Sequence, residues 1–301
     1  MAAITTGSFA KALYPGVNTW YGKAYNEFSP EFPGLFDKNT SRKAWEEDMS
    51  VSGFGMAVIK GEGAPVTYDT AQQGFMDRYT HVEYALGFII TRNMYEDDLY
   101  DVIGAKKAAA LARSIRHVKE YIGANVYNRA FNSSYTFGDG QQLIDNDHPN
   151  IAGGTWSNRP SVYADISEAS LEQAIIDLGK YTDDRGLKMA VKAKNLIIPV
   201  DLDFEVNKIL KTEYEVGTAN NTVNIVRGRF PGGVTVAHWL TDTDAWFIKT
   251  DVPNGMKFYE RRPDTFGVDN DFDTDNAKFK VTSRFSFGAS DKKAIYGSEG
   301  A

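Results

Sequence analysis

The first long hydrophobic pattern along the chain is that of a β-hairpin. Residues 54–60 (FGMAVIK) are apolar and strand-like, and residues 61–65 (GEGAP) form a turn signal. In the return arm, residues 75–90, the side chains of Tyr79, His81, Glu83 and Ala85 alternate with those of Thr80, Val82, Tyr84 and Leu86. Such an arm spans roughly 50 Å, and a ribbon without support is marginally stable in water. We therefore expect the ribbon to contact a partner outside its own domain.

A helical pattern follows the hairpin. Asn93 can cap a helix, and Glu96, three residues later, completes a capping-box arrangement. The apolar stripe that begins there consists of Leu99, Ile103, Ala110, Leu111, Ile115, Val118, Ile122 and Val126. The pattern predicts a helix from Asn93 to about Phe131, roughly 55–60 Å long. A helix of several times the mean length is expected to be the spine of a domain.

The remainder of the chain mixes helices and strands. A second helix is predicted over residues 167–182, with Asp165 and Glu168 as its capping box and Gly186 just beyond its end. A buried strand is predicted over residues 195–200 and a short helix over residues 201–210. Later strands are predicted at 234–240, 245–250, 256–262 and 279–287, the last with Phe279, Val281, Phe285 and Phe287 on one face. The fold class is therefore α+β.

The first fifty residues are predicted to form an irregular arm, because Pro15, Pro30 and Pro33 interrupt them. The arm is nevertheless rich in large apolar residues: Trp20, Tyr21, Tyr25, Phe28, Phe32, Leu35 and Phe36. Disordered tails are poor in such side chains. We expect the arm to lie on a surface, either of its own domain or of a neighbouring subunit.

Composition narrows the functional classes. The chain has 301 residues and a formal net charge of −7, and we find no basic stripe of the kind that grips nucleic acid. It has no cysteine, which removes disulfides, thiolate metal sites and cysteine nucleophiles. The apolar stretches are too short to cross a bilayer, and the first residues lack the pattern of a secretory signal. We expect no membrane association.

The sequence contains few candidates for catalysis. Phosphate-loop, dinucleotide-binding, nucleophile-elbow and zinc-protease motifs are absent. Asp145, Asp147 and His148 could bind a metal, although a polar turn before Pro149 is the favoured interpretation. The alternating aspartates Asp269, Asp271, Asp273 and Asp275 resemble a calcium loop, but Thr274 and Lys280 replace its glycine and its bidentate glutamate. The four histidines show no shared spacing. We predict no enzyme, no cofactor and no metal site.

One long segment runs from Gly61 to about Asn132 and begins GEGAPVTYDTAQQGFMDRYTHVEYALGFIITRNMYEDDLYDVI. This segment resembles the major capsid (head) proteins of tailed bacteriophages, which have the Hong Kong ninety-seven–like, or Johnson, fold. DGQQLIDNDHPN, residues 139–150, and the closing FKVTSRFSFGASDKKAIYG are similar to later parts of such proteins. The resemblance implies an N-terminal arm (1–52), an extended loop (53–92), a spine helix of a peripheral domain (93–137), an axial domain (138–241) and returning peripheral strands (242–301).

The resemblance also implies a structural function. The chain would assemble with itself as hexamers and pentamers into an icosahedral head that encloses double-stranded DNA without reading its sequence. Its location would be the virion capsid, assembled in the cytoplasm of a bacterial host. Separate scaffolding, portal and possibly decoration proteins are the implied partners. We predict that the subunit interface includes these residues of the arm and the ribbon: Trp20, Tyr21, Phe28, Phe32, Lys60, Glu62, Pro65, Tyr68, Phe75 and Tyr79.

Three alternatives remain open at the level of sequence. One is an encapsulin-type compartment shell of the same fold, which holds cargo enzymes instead of a genome. Another is a metal-dependent enzyme that uses Asp145, Asp147 and His148. The third is another phage component, such as a decoration or tail protein, which has less need of both the long ribbon and the spine helix.

Overall fold

The structure, a computed structural model, describes residue 21 and residues 29–93, 100–214, 223–271, 274 and 276–301. Its helices are α1 (Phe32–Leu35), α2 (Tyr100–Asn128), α3 (Glu168–Gly179) and α4 (Asp203–Lys211). Its strands are β1 (Asp37–Thr40), β2 (Trp45–Val51), β3 (Gln73–Thr80), β4 (Val82–Ile90), β5 (His148–Pro149), β6 (Thr155–Trp156), β7 (Ala193–Ile198), β8 (Val234–Val236), β9 (Trp246–Thr250), β10 (Met256–Asn270), β11 (Ala277–Ala289) and β12 (Ile295–Ser298). Helices and strands together confirm the α+β class.

The long helix α2 packs on a four-stranded sheet with the order β1-β10-β11-β4. Strands β10 and β11 form a long antiparallel pair, and β4 pairs with β11 from Val82 to Ile90. Phe279, Val281 and Phe285 of β11 are buried, as the alternation predicted. Phe279 and Val281 pack with Leu111 and Ile115 of α2, and Phe285 packs in a neighbouring cluster with Val118 and Ile122. The two faces meet because apolar residues recur every second position in β11 and every third or fourth in α2.

A second four-stranded sheet, with the order β12-β9-β7-β8, lies in the later part of the chain. Its central strands β7 and β9 are almost entirely buried, which explains the apolar runs at residues 196–198 (LII) and 246–248 (WFI). The helices α3 and α4 cover it through Leu171, Leu178, Val206 and Ile209. Ser167 caps α3 and forms a capping box with Ser170, so the predicted cap at Asp165 was wrong.

The ribbon differs from the predicted hairpin. Residues 54–60 form no strand, and the outgoing strand is β2, which pairs antiparallel with β3. The expected irregular arm therefore ends earlier than residue 52, because β1 and β2 are regular strands that pair with distant segments. The return arm is also interrupted at His81, where the inward-facing set changes from Tyr79 and His81 to Tyr84, Phe88 and Ile90. The phase changes because β3 pairs with β2 whereas β4 pairs with β11.

The predicted long helix is confirmed over its described length. Helix α2 has 29 residues, which at 1.5 Å each is about 44 Å, and it ends at Asn128 instead of near Phe131. The predicted cap Asn93 is itself helical, whereas residues 94–99, which include Glu96 and Leu99, lie outside the described residues. Ala110 is exposed and does not belong to the buried stripe. Over the described part of the chain, no helix combines the length and apolarity needed to span a bilayer.

Candidate assembly surface

The loop that joins β2 to β3 exposes several large apolar side chains. Every residue from 53 to 73 is exposed. Ile59 is fully exposed at 102% of its reference area, and Tyr68 reaches 92%. The other large apolar side chains in the loop are Phe54, Met56, Val58 and Val66. A continuous exposed patch of this kind marks an interaction site because burying it would release a large apolar area from water.

The outer face of the ribbon continues this apolar surface. Trp45, Met49 and Val51 of β2 are about half exposed, as is Met76, which lies directly opposite Met49. The guanidinium of Arg78 lies over the ring of Trp45 at 4.3 Å. We name the loop 53–72 together with this outer ribbon face the apolar loop surface. Its aromatic and methionine side chains are of types that are enriched in protein interfaces.

Arg185 fastens the root of the loop to the rest of the subunit. It lies in a turn between α3 and β7, and its Nη2 donates to Asp69 Oδ1 at 2.8 Å and to the carbonyl of Thr70 at 2.9 Å. Its Nε donates to the carbonyl of Gly53 at 3.2 Å. One planar guanidinium therefore joins both ends of the loop, which a lysine could not do with the same geometry.

Asp69 also organises the loop root. Its carboxylate accepts hydrogen bonds from the backbone N–H groups of Gly55 and Thr70, both at 2.8 Å. These two bonds, followed by the charge of Arg185, lower the pKa of Asp69 below its ordinary value. The carboxylate is consequently ionised at neutral pH, which suits its pairing with the guanidinium.

Two ion pairs, one partly buried and one buried, fix the inner face of the ribbon. Lys257 Nζ of β10 donates to Asp48 Oδ2 at 2.6 Å, and Lys292 Nζ donates to Asp77 Oδ2 at 2.6 Å. The hydroxyl of Ser290 also donates to Asp48. A cleft of about 570 Å³ lies beside these pairs, between the ribbon and the body of the subunit. These contacts hold the base of the ribbon while its loop projects into solvent.

The predicted interface residues fall into three groups. Lys60, Glu62, Pro65 and Tyr68 lie in the exposed loop, and Phe75 beside it is half-buried. Tyr21, Phe32 and Tyr79 instead contact this chain's own core: Tyr21 stacks on Phe266, Phe32 packs on Phe258, and Tyr79 lies against Tyr259 with its hydroxyl 2.6 Å from Ser290 Oγ. Trp20 and Phe28 lie outside the described residues.

The candidate metal ligands do not converge. His148 is completely buried, with Nδ1 2.8 Å from Asp139 Oδ2 and Nε2 3.2 Å from Asn158 Oδ1, so both ring nitrogens have protein partners. Asp147 is exposed, and its N–H donates to Asp145 in a polar turn. Within the described ranges, no three acidic or histidine side chains could hold an ion together. The histidine is a packed core residue that stacks on Trp156.

The other candidates also have structural partners. Asp271 accepts from Thr274 and pairs with Lys278, while Asp273 and Asp275 lie outside the described residues. His81 is held between Ser286 and Ser41, at 2.9 and 3.0 Å. His117 packs on Trp239, and His238 bonds to Glu31.

Sequence reasoning missed the residues that anchor the ribbon and loop. The two ion pairs, Lys257 with Asp48 and Lys292 with Asp77, each join residues more than two hundred positions apart in the sequence. Arg185 lies more than a hundred positions from the loop residues that it binds. Pattern analysis detects local periodicity, whereas these pairs depend on tertiary folding. The one sequence signal for β2 was the spacing of its apolar residues Trp45, Met49 and Val51 at even intervals, which the acidic residues between them obscured.

Comparison with known proteins agrees with this architecture. A family model described as phage capsid protein matches residues 76–298. None of the curated proteins compared with the chain matches it.

Three solved structures are similar to the chain at low sequence identity. The virus-like particle of Pyrococcus furiosus is 13% identical, with a TM-score of 0.52, and the match covers 95% of this chain and 98% of that one. The capsid of an empty GTA particle is 13% identical, with a TM-score of 0.53, covering 89% and 88%. The capsid of bacteriophage JBD30, decorated with minor capsid protein trimers, is 14% identical, with a TM-score of 0.55, covering 80% and 100%. At these identities the likeness establishes the fold.

Proposed function

The chain belongs to the phage capsid protein family and has the Hong Kong ninety-seven–like fold, and from this premise we propose that it is the major head protein of a tailed bacteriophage. Its role is structural, and its location is the virion capsid. We further propose that copies assemble as hexamers and pentamers into an icosahedral head around double-stranded DNA.

The observation that carries this proposal is the apolar loop surface. A subunit that exposes Phe54, Met56, Val58, Ile59 and Tyr68 together leaves a large apolar area in water. Each such side chain gains about 1.5–3 kcal/mol when it is buried. Self-association covers the surface, since every copy presents both a loop and the body on which a neighbouring loop can lie.

The domain assignment extends this proposal. The loop and ribbon at 53–92 would reach a neighbour, the helix at 93–137 would be the spine of the peripheral domain, and residues 138–241 would meet around capsomer centres. The net charge of −7 favours a container that encloses DNA over a protein that grips it. Scaffolding, portal and decoration proteins would be its partners, and assembly would take place in the host cytoplasm.

A compartment shell of the same fold is the second candidate. Such a shell would have the same architecture as this chain. The similarity of this chain to the virus-like particle of Pyrococcus furiosus supports this second candidate. The two candidates differ in content: nuclease-protected double-stranded DNA in particles purified from the natural source supports a phage head, whereas a stoichiometric protein cargo supports a compartment.

The direct test is assembly of the purified chain. The protein is expressed without partners, separated on a sizing column and imaged by negative-stain electron microscopy, with and without a crowding polymer. Rings, shells or tubes of repeating capsomers are expected. A chain that stays monomeric at its highest soluble concentration under both conditions would contradict the proposal.

A further inference from the structure

Strand β4 forms the edge of its sheet. It pairs with β11 along one side, and among the strands that the structure describes it is the last in the order β1-β10-β11-β4. Val82, Leu86 and Ile89 of β4 are each about half exposed. An edge strand with apolar side chains and backbone groups directed away from its neighbour is a template for another strand.

Residues 54–60 are a strand-like segment that forms no strand in the subunit. The sequence FGMAVIK combines apolar and β-branched residues, yet all seven residues are exposed and irregular. Peptides of this type commonly bind by adding a strand to an exposed sheet edge, where the main chain supplies affinity and alternate side chains supply specificity. The segment has the composition of a strand without a strand to pair with, and β4 is an edge strand that can accept one. Each therefore supplies the pairing partner that the other can use.

Charge favours one alignment of residues 54–60 with β4. Lys60 is the one charged residue of the segment, at its end, and Glu83 is the one charged residue of β4, near its beginning. An antiparallel alignment with Lys60 opposite Glu83 places Val58 opposite Ala85, Met56 opposite Gly87 and Phe54 opposite Ile89. Gly87 has no side chain, so Met56 would meet none directly opposite it. A parallel alignment would instead place Lys60 beside the apolar end of β4.

The segment cannot reach β4 of its own chain in this alignment. Strands β3 and β4 follow one another beside β11, as shown by the contact of Tyr79 with Ser290 and the pairing of Val82 with Phe285. The backbone of Ser52 bonds to that of Gln72 at the far end of the ribbon, so Ile89 lies seventeen residues further along, roughly 55 Å away. Phe54, two residues from Ser52, can extend about 7 Å.

We propose that residues 54–60 of one copy add as an antiparallel strand to β4 of a second copy, with Lys60 opposite Glu83. The carboxylate of Glu83, which already accepts from Arg262, would then lie between two cations. This inference rests on the proposed function because both require self-association, and it names the acceptor surface and the register.

Disulfide trapping tests the register, since the chain contains no cysteine of its own. The double variant Val58→Cys with Ala85→Cys brings two sulfurs within bonding distance only if the alignment is correct. Its matched control is Val58→Cys with Leu86→Cys, because Leu86 directs its side chain to the opposite face of β4. After mild oxidation of the assembled fraction, we expect most of the first variant to run as a ladder of linked chains and the control to remain monomeric on a denaturing gel.

The outcomes separate the two proposals. Assembly with a ladder in the control, or in neither variant, overturns this inference and leaves the capsid function standing. Absence of any association in the unmodified chain overturns both. A second measurement avoids substitutions altogether: hydrogen exchange of the unmodified protein should slow at alternate amides of β4 on assembly, and unchanged exchange there overturns the inference.

Discussion

Asp48 and Asp77 lie directly opposite each other in the β2–β3 ribbon, and each carboxylate holds a different lysine of the body. Two like charges in this position would ordinarily repel and destabilise the pair of strands. Lys257 and Lys292 reverse that effect, since each ammonium lies 2.6 Å from its aspartate. The ribbon is therefore attached at its base by charge, while its apolar loop remains available.

Removal of the Asp77 carboxylate should strongly destabilise the subunit. In Asp77→Ala the buried ammonium of Lys292 retains only the more distant Asp139, at 3.8 Å, and the N–H of Gly138 loses its acceptor. Breaking a buried pair in this way costs about 3–5 kcal/mol. Urea unfolding of the unassembled chain measures the change.

The matched control is Glu47→Ala on the outer face of the neighbouring strand β2. Glu47 pairs with Arg78 at 3.6 Å, and both side chains are substantially exposed. Exposed pairs contribute about 0–1 kcal/mol, so this variant should unfold almost as the parent does. Equal losses in the two variants would show that burial of the ion pair does not matter.

Acid should weaken the ribbon attachment through Asp48. Burial opposes ionisation of this carboxyl, but hydrogen bonds from Lys257 and Ser290 outweigh burial and hold its pKa below the ordinary value of 3.8. Because the unfolded chain then takes up the proton more readily, the stabilisation is complete above pH 3.8 and is lost as the pH falls through the folded-state pKa.

The measurement is the free energy of unfolding between neutral pH and pH 2 for the parent and for Asp48→Asn. The parent should lose stability more steeply below about pH 4. Asp139, whose pKa is also lowered, against burial, by His148 and Lys292, stays in both proteins and contributes to the remaining slope, as do Asp69 and Glu46, whose pKa values are also lowered. Identical slopes would exclude Asp48 as a source of the acid sensitivity.

These anchors illustrate what sequence could and could not predict. The alternation of β11 and the stripe of α2 were readable because each apolar face follows the period of its own element. Strand β2, WEEDMSV, was not recognised because half of its residues face solvent and its inward side chains include Glu46 and Asp48. Residues 54–60 have strand composition but no pairing partner within the subunit, so composition alone predicted a strand that the single chain does not form.

The predicted interface residues also divide into those whose position local sequence indicated and those whose position depends on distant parts of the chain. Exposure of Lys60, Glu62, Pro65 and Tyr68 agrees with the loop signal in GEGAP, which is local. The positions of Tyr79 and Phe32 depend on rings contributed by β10 and β11, far along the chain. Aromatic content therefore indicated a need for burial without indicating whether the partner was the chain itself or a neighbour.

Gly138 should tolerate no side chain, because the ribbon approaches it closely. A Cβ at this position would lie 2.2 Å from the carbonyl oxygen of Met76 in β3. We expect Gly138→Ala to cost about 2 kcal/mol through backbone displacement and to lower the melting temperature. Gly179→Ala is the control, since a Cβ there meets nothing within 4 Å. A melting temperature equally unchanged in both variants would contradict the close contact.

Loss of the Arg185 guanidinium should free the loop without unfolding the subunit. Arg185→Ala removes the bonds to Gly53, Asp69 and Thr70 at the partly exposed loop root. We expect several-fold faster cleavage by chymotrypsin at Phe54 and Tyr68, because local opening governs proteolysis of a loop, with little change in melting temperature. Lys180→Ala, an exposed lysine near the same turn, is the control and should be cleaved at the parental rate.

Ile59→Asp should weaken assembly strongly while leaving the subunit intact. Ile59 is fully exposed, so its replacement removes no contact within the chain, and the melting temperature should not change. In an assembled interface the variant loses about 2 kcal/mol of apolar burial and adds the cost of an unpaired charge. Since about 1.4 kcal/mol changes an equilibrium tenfold, the concentration required for assembly, measured on a sizing column, should rise well over tenfold.

Thr67→Asp adds the same charge to the same loop without removing an apolar side chain, and it should assemble near the parental concentration. Equal assembly of Ile59→Asp and the parent would show that the apolar loop surface is not the site of self-association.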